Sequence, residues 1–574
     1  MSAEKQDMGF RRLAMLERYI KIPRSFLFLA VALIALLLGG LVYALTDNLY
    51  TDLEEFNLVA TVVRNNYVEE INPENLVKAG ITGMLSILDP YSEYLDPKQQ
   101  SALMEDTRGQ FEGLGIEIAI KDGWLTVISP LEDTPAERLG IQAGDRITRI
   151  EGVSTEGITA EEAVNKLRGK KGTLVHITIE REGIKKPMEY AVERDVISIR
   201  AVPYYGLAAE GIGYVRLNRF SDLAADEVKE AVSELERQNV TSMILDLRGN
   251  PGGLLSQAVD VAGVFLGGNE LVVSTKGRAK NQNQEFYSSG QPLFPNLPLV
   301  VLVDQGSASG AEIVAGAIQD WDRGLLVGDT TFGKGLVQNV IQLSDGSGLK
   351  LTTAKYLMPS GRSIQRPEDL RVDSALAESD SEPKEQSPDS AEAREKFFTK
   401  GGRVVYGGGG VAPDVYVPYE RLSPLEYSLL AKRSFLGFAV HYAASHPDLP
   451  RDFRVDDAMY SQFEDYLVSQ KFEYQTSSEY ELDKLKQAIK EEERSDVLNR
   501  QIAELEKTLE ADKHNDFRRD ADYIKSEIKE NLLIKLYGPN AKYQGVWFTS
   551  HPQIAKAIQI LSHAGEYQSL LSAK

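Results

Sequence analysis

Ser309 and Lys334 are the two residues of this chain whose settings suit covalent chemistry. Ser309 stands in a turn of small residues, Gly306-Ser307-Ala308-Ser309-Gly310, after the apolar run from Leu297 to Val303. Ile313, Val314, Ala317 and Ile318 then recur about one helical turn apart, which predicts a helix. A strand, a sharp small-residue turn and a helix expose a hydroxyl where the first backbone N–H groups of the helix face the reacting centre. Ser309 is therefore the candidate nucleophile. It needs a base, and His176, His441, His446, His514, His551 and His563 all lie outside this block. Lys334, set between Gly333 and Gly335, is the candidate instead. At its ordinary pKa of about 10.4 it would be almost wholly protonated at neutral pH. Burial in an apolar pocket lowers a lysine pKa by up to roughly 3–5 units, and flanking glycines let the backbone close around such a pocket. The plain alternative is that Ser309 only caps a helix and Lys334 is a solvated loop lysine.

A second loop bears on the same chemistry. Arg248-Gly249-Asn250-Pro251-Gly252-Gly253 follows an apolar run and precedes a helical pattern. A phosphate loop would continue into Gly-Lys-Ser/Thr, and this one does not. An oxyanion hole fits better, with the N–H of Gly252 or Gly253 joining that of Gly310.

The motifs GSASGAEI (306–313), AGAIQD (315–320), TFGKGLVQ (331–338), LKLTTAKY (349–356), DLRGNPGG (246–253) and LDPYSEYL (88–95) occur in this order of roles around the block. Over residues 50–420 the chain resembles the carboxyl-terminal processing peptidases, or tail-specific proteases, a family of serine–lysine endopeptidases. The resemblance implies that Ser309 is the nucleophile and Lys334 the general base. It also implies that Gln338, four residues on and so one helical turn beyond, orients that lysine. Asp320 matches a further polar position that some members require. Gly310-Ala311 departs from the family, where many members carry Ala-Ser. No metal or organic cofactor is implied.

At 574 residues the chain exceeds one core, and several domains are expected. A net charge of −21, with no basic cluster beyond the N-terminus, argues against nucleic acid. Zero cysteines exclude disulfides, thiol nucleophiles and thiolate metal sites. Residues 1–25 carry Lys5, Arg11, Arg12, Arg18, Lys21 and Arg24, and the uncharged run 26–45 is long enough to span a bilayer. Asp47, Asp52, Glu54 and Glu55 follow, so the positive-inside rule puts residues 1–25 in the cytoplasm and the rest outside. An anchor in a bacterial inner membrane with a periplasmic catalytic part is the expectation. A cleaved signal peptide ending near Val42-Tyr43-Ala44 is its rival, disfavoured by the length of the run and of what precedes it.

The expected architecture is multidomain α/β. After the transmembrane anchor, residues 46–104 read as a helical segment that could dimerise, with Leu53, Phe56, Val59, Ala60, Val63 and Tyr67 on one face. Residues 105–196 resemble a PDZ domain. Gly113-Leu114-Gly115-Ile116 resembles its carboxylate-binding loop, with a strand after it and a groove-walling helix over 159–167. Such a groove takes an extended peptide as an added strand and an apolar last side chain in a pocket. Protein substrates with apolar C-terminal tails are the implied partners. Arg168 lies where a gating contact to the core could form, or is simply solvated. Residues 197–420 read as the α/β peptidase core, interrupted by an acidic stretch, 368–395, too poor in apolar residues to order itself. Residues 421–574 read as a helical extension, open among packing, dimerisation and partner docking. A PDZ-based scaffold with latent or lost peptidase activity is the alternative from another functional class.

Overall fold

The computed structural model describes residues 50–367, 394–419, 421–492, 496–513 and 515–572. The expected anchor at 26–45 and nearly all of the acidic stretch at 368–395 lie outside the described residues. No described helix is long and apolar enough to cross a membrane. Contacts divide the chain into two units, one ending at Leu88 and one beginning at Asp89.

In the first unit, helix 50–66 is followed by Pro73–Leu85, which the Asn72 side chain caps by accepting the Glu74 N–H at 2.9 Å. Proline at the first helical position suits this start. The apolar face expected of the first helix is largely uncovered, with Leu53, Phe56, Val59 and Tyr67 exposed.

The second unit opens with Glu93–Leu95 and helix Pro97–Arg108, capped by the Asp96/Gln99 capping box and ended by Gly109 at φ 68°. A six-strand antiparallel sheet follows, with Ile116–Lys121, Trp124–Pro130, Arg146–Ile150, Leu174–Glu180 and Met188–Glu193 in that order and the short Val153–Ser154 pairing with Arg146–Ile150 off this path. Alternating side chains such as Val175, Ile177 and Ile179 fill its core together with Ala163 and Leu167 of helix Ala160–Leu167. Ile116–Lys121 is an edge strand.

A second six-strand sheet has the order Tyr204–Ala209, Ile212–Arg216, Ser242–Asp246, Leu299–Val303, Leu325–Gly328, Val415–Tyr416. The first pairing is antiparallel and the rest are parallel. Continuous burial of Leu299–Val303 reflects a sheet covered on both faces. Helices Ala224–Arg237, Leu255–Phe265 and Gly310–Asp320 pack on one face. The other face is covered by the C-terminal end of the chain, where Ile554, Ala557 and Ile560 of helix Pro552–Ser562 meet Ile244, Val300, Leu302, Leu325 and Val327. A smaller sheet joins Glu93–Leu95, Gly348–Leu357, Leu271–Gly277 and Gln284–Tyr287, and Leu336–Gln342 also pairs with Gly348–Leu357. Between Val405 and the last helices, a separate helical core gathers Leu425, Phe435, Phe438, Phe463, Ile524, Ile528 and Leu532.

Candidate active site

Strand Leu299–Val303 delivers the chain into the turn that carries Ser309. Asp304 holds this turn against the neighbouring loop, its Oδ1 accepting the N–H of Gly306 at 2.9 Å and of Gly249 at 2.7 Å. The Ser307 hydroxyl donates to the Leu247 carbonyl at 2.8 Å, and the Ala308 N–H to the Asn250 carbonyl at 2.9 Å. Ser309 precedes helix Gly310–Asp320 with φ 51° and ψ −112°. That is far from the extended backbone of an ordinary N-cap, and a non-glycine residue held there is strained. Such strain, imposed by the laced turn, sets Ser309 apart from a residue that merely starts a helix.

Glu312 joins this turn to the lysine loop. Fully buried, its carboxylate accepts the N–H of Ser309 and of Lys334 on Oε2, each at 2.9 Å. Its Oε1 accepts the N–H of Gly333 at 2.7 Å and the Thr331 hydroxyl at 2.5 Å. Burial pushes the Glu312 pKa up to about 7, against the pull of these four donors. The Tyr356 hydroxyl, also buried, donates to the Lys334 carbonyl and lies 3.4 Å from that of Ser309. The backbones of the serine and the lysine are therefore held side by side.

Lys334 is half-buried, and its Nζ donates to Gln338 Oε1 at 2.8 Å. Burial lowers its pKa, as does the charge of Lys350, while Asp89, Glu312 and Glu93 act in the opposite sense. Gln338 lies on strand Leu336–Gln342 and not one turn along a helix. A register shift between Val337 and Gln338 marks a bulge at this point, a device that re-aims a side chain.

Gly252 abuts Ser309 so closely that a Cβ there would lie 2.7 Å from the Ser309 Cβ and 2.8 Å from the Gly310 nitrogen. Its φ of 97° also calls for glycine. The Gly252 N–H donates to the Asn250 side chain at 2.8 Å. A Cβ on Gly253 would meet the Phe220 carbonyl oxygen at 2.3 Å. The Gly310 N–H opens its helix and so has no partner within it.

Asp320 stands apart from this cluster. Ten residues beyond Gly310, about 15 Å along the helix, it pairs with the equally buried Arg362 at 2.8 Å and accepts the Ser360 N–H at 2.9 Å. Burial raises its pKa, and Arg362 opposes the rise. Asp320 thus anchors the far end of the helix that Ser309 begins.

In the domain expected over residues 105–196, the Leu114 and Gly115 carbonyls accept the N–H groups of Ala136 and Leu131, at 3.1 and 2.9 Å. Gly115 has φ 78°. Gly113 closes strand Gln110–Gly113, and Ile116 starts the edge strand beside helix Ala160–Leu167. Arg168 turns to helix Pro97–Arg108. Its guanidinium pairs with Glu105 at 2.5 Å and lies over the Phe111 ring at 4.9 Å.

Among the described residues no group of His, Asp and Glu side chains could hold a metal ion. Sequence reasoning missed Glu312, although the Ser-x-x-Glu spacing of Ser309 and Glu312 is a helix-start signature. It reached Tyr356 only as part of the motif 349–356 and gave it no role; the contact with the Lys334 carbonyl supplies one.

Comparison with known proteins places these features in context. Residues 211–372 match peptidase family S41, residues 103–180 a PDZ domain and residues 425–561 the C-terminal helical domain of a probable PDZ-protease. Residues 43–99 match the N-terminal domain of the activating protease CtpB. A carboxy-terminal-processing protease of Bartonella bacilliformis is 42% identical over 325 residues, covering 56% of this chain and 74% of its own length. A carboxy-terminal processing protease of Bacillus subtilis is 36% identical over 314 residues, covering 54% and 66% respectively. Among solved structures, a photosystem II D1 C-terminal processing protease aligns at 27% identity with a TM-score of 0.35, covering 63% of this chain and 86% of that one. The chain belongs to peptidase family S41, among the carboxy-terminal-processing serine proteases.

Proposed function

We propose that this protease is anchored in a bacterial inner membrane by residues 26–45, faces the periplasm, and cleaves protein substrates with a Ser309–Lys334 dyad. The observation that carries the chemistry is the shared Glu312 carboxylate, which holds the backbones of Ser309 and Lys334 side by side. Neutral Lys334 takes the Ser309 proton as Oγ bonds to the scissile carbonyl carbon, and the carbonyl electrons pass to oxygen. Backbone N–H groups of Gly310 and Gly253 receive that oxyanion. Gly252, its own N–H engaged by Asn250, serves by leaving room beside Ser309. The tetrahedral centre collapses, the C–N bond breaks, and the Lys334 ammonium returns the proton to the leaving amine. Water, deprotonated by the same lysine, then releases the acyl group.

The edge strand Ile116–Lys121 and helix Ala160–Leu167 form the groove that selects an apolar C-terminal tail. Purified full-length protein should cleave an unfolded protein, and Ser309→Ala and Lys334→Ala should each abolish the cleavage. Unchanged cleavage by Lys334→Ala would remove the lysine from the mechanism.

A further inference from the structure

Residues 89–95 precede the PDZ domain in sequence, yet in space they belong to the site. Asp89 organises them, accepting the N–H of Tyr91 at 2.9 Å, the N–H of Ser92 at 3.0 Å and the Ser92 hydroxyl at 2.8 Å. Strand Gly348–Leu357 fastens them. The Thr352 hydroxyl donates to Asp89 at 3.0 Å, the Thr352 N–H donates to the Ser92 hydroxyl at 3.1 Å, and Glu93 pairs in register with Lys350. The Lys350 Nζ also meets Glu93 at 2.6 Å.

This strap sets Tyr91 against the lysine in two ways. Its carbonyl accepts the Gln338 Nε2–H at 2.7 Å, and its ring centre lies 4.7 Å from the Lys334 Nζ. With Nε2 committed to that carbonyl, the Gln338 amide can present only Oε1 to Lys334. The ring stands over one side of the lysine's terminal group.

We infer that Tyr91 is a positioning residue for Lys334, its carbonyl fixing the Gln338 amide and its ring excluding water from Nζ. The inference rests on the serine–lysine reading above. Charged groups facing Nζ are Lys350, Asp89, Glu312 and Glu93, and a substitution confined to the Tyr91 ring alters none of these residues. The ring face also attracts the ammonium, but water solvates that charge more strongly, so opening the ring side leaves the lysine holding its proton to higher pH. The acid limb of kcat/KM must then move upward in pH.

The test measures kcat/KM against pH for the full-length parent, Tyr91→Phe and Tyr91→Ala on an unfolded protein substrate, with Ser309→Ala as control. Tyr91→Phe keeps ring and carbonyl and should keep the acid limb at the parent's pH. Tyr91→Ala should lose about tenfold or more at neutral pH through kcat, with KM held, and should recover as pH rises. An acid limb that stays in place in Tyr91→Ala overturns the inference, and so does an equal loss at every pH. Cleavage by Ser309→Ala would sink the serine–lysine reading itself, a separate outcome. If Tyr91→Ala does not fold, Thr352→Val loosens the strap instead and should move the limb in the same direction by less. An unmoved limb in that variant likewise counts against the role of the strap.

Discussion

Glu312 is where chemistry and stability meet at the scale of a single residue. Its carboxylate serves four donors, yet burial holds its pKa at about 7. Below pH 4.5 the group is protonated in both folded and unfolded chains. As pH rises towards 7 the unfolded chain ionises first, so stability is lost through this window and stays lost above it. The slope is at most about 1.4 kcal/mol per pH unit, and about 3 kcal/mol in all. Glu312→Gln should flatten that dependence, which urea unfolding at pH 5 and pH 8 will read. It should also lower kcat by about tenfold or more, because one amide oxygen cannot serve four donors. An unchanged pH dependence of stability in Glu312→Gln would mean that the group does not titrate there.

Elements explain why so much of the site was readable. Leu299–Val303, the small-residue turn and helix Gly310–Asp320 announce themselves by apolar runs and spacing, and the structure places them as read. The four-residue step from Lys334 to Gln338 was less informative, because a strand with a bulge satisfies it as well as a helical turn. The partner of Gln338, Tyr91, is 247 residues away in sequence, and no local pattern could join them. The loop over 246–253 was legible through its glycines, but not the division of labour within it. Gly252 is predicted to act through its missing side chain. Gly252→Ala would push Ser309 and the Gly310 nitrogen aside, so kcat should fall by about 10²–10³, as steady-state kinetics will measure. A fully active Gly252→Ala would contradict this packing. In Gly253→Ala the clash is closer, with the Phe220 carbonyl oxygen at 2.3 Å, so a fall in Tm is expected as well.

At the scale of the whole molecule, the C-terminal chain proves inseparable from the catalytic sheet. Its helix Pro552–Ser562 covers the face opposite Ser309, and Gln553 reaches Arg248, which Asp246 grips at 2.6 Å. The same chain also braces the PDZ domain. Lys535 donates to the Ala143 carbonyl at 2.7 Å, Asn540 meets Glu132 at 2.9 Å, and Val440 fills the space that Gly144 leaves. None of this follows from the periodicity of residues 421–574, since an apolar face does not name its partner. Truncation before Pro552 should leave the apolar sheet face bare and the protein insoluble. The milder Ile560→Ala, at a fully buried site, should cost about 2–5 kcal/mol, read by thermal or urea unfolding. A truncated chain that stays soluble and active would show that the far face needs no cover.

The most direct measurement gives full-length protein and its Ser309→Ala form one unfolded substrate carrying either an apolar or a charged C-terminal tail. Cleavage by the parent alone, and faster with the apolar tail, is the predicted result. Cleavage by Ser309→Ala at the parent's rate would contradict the account at its centre.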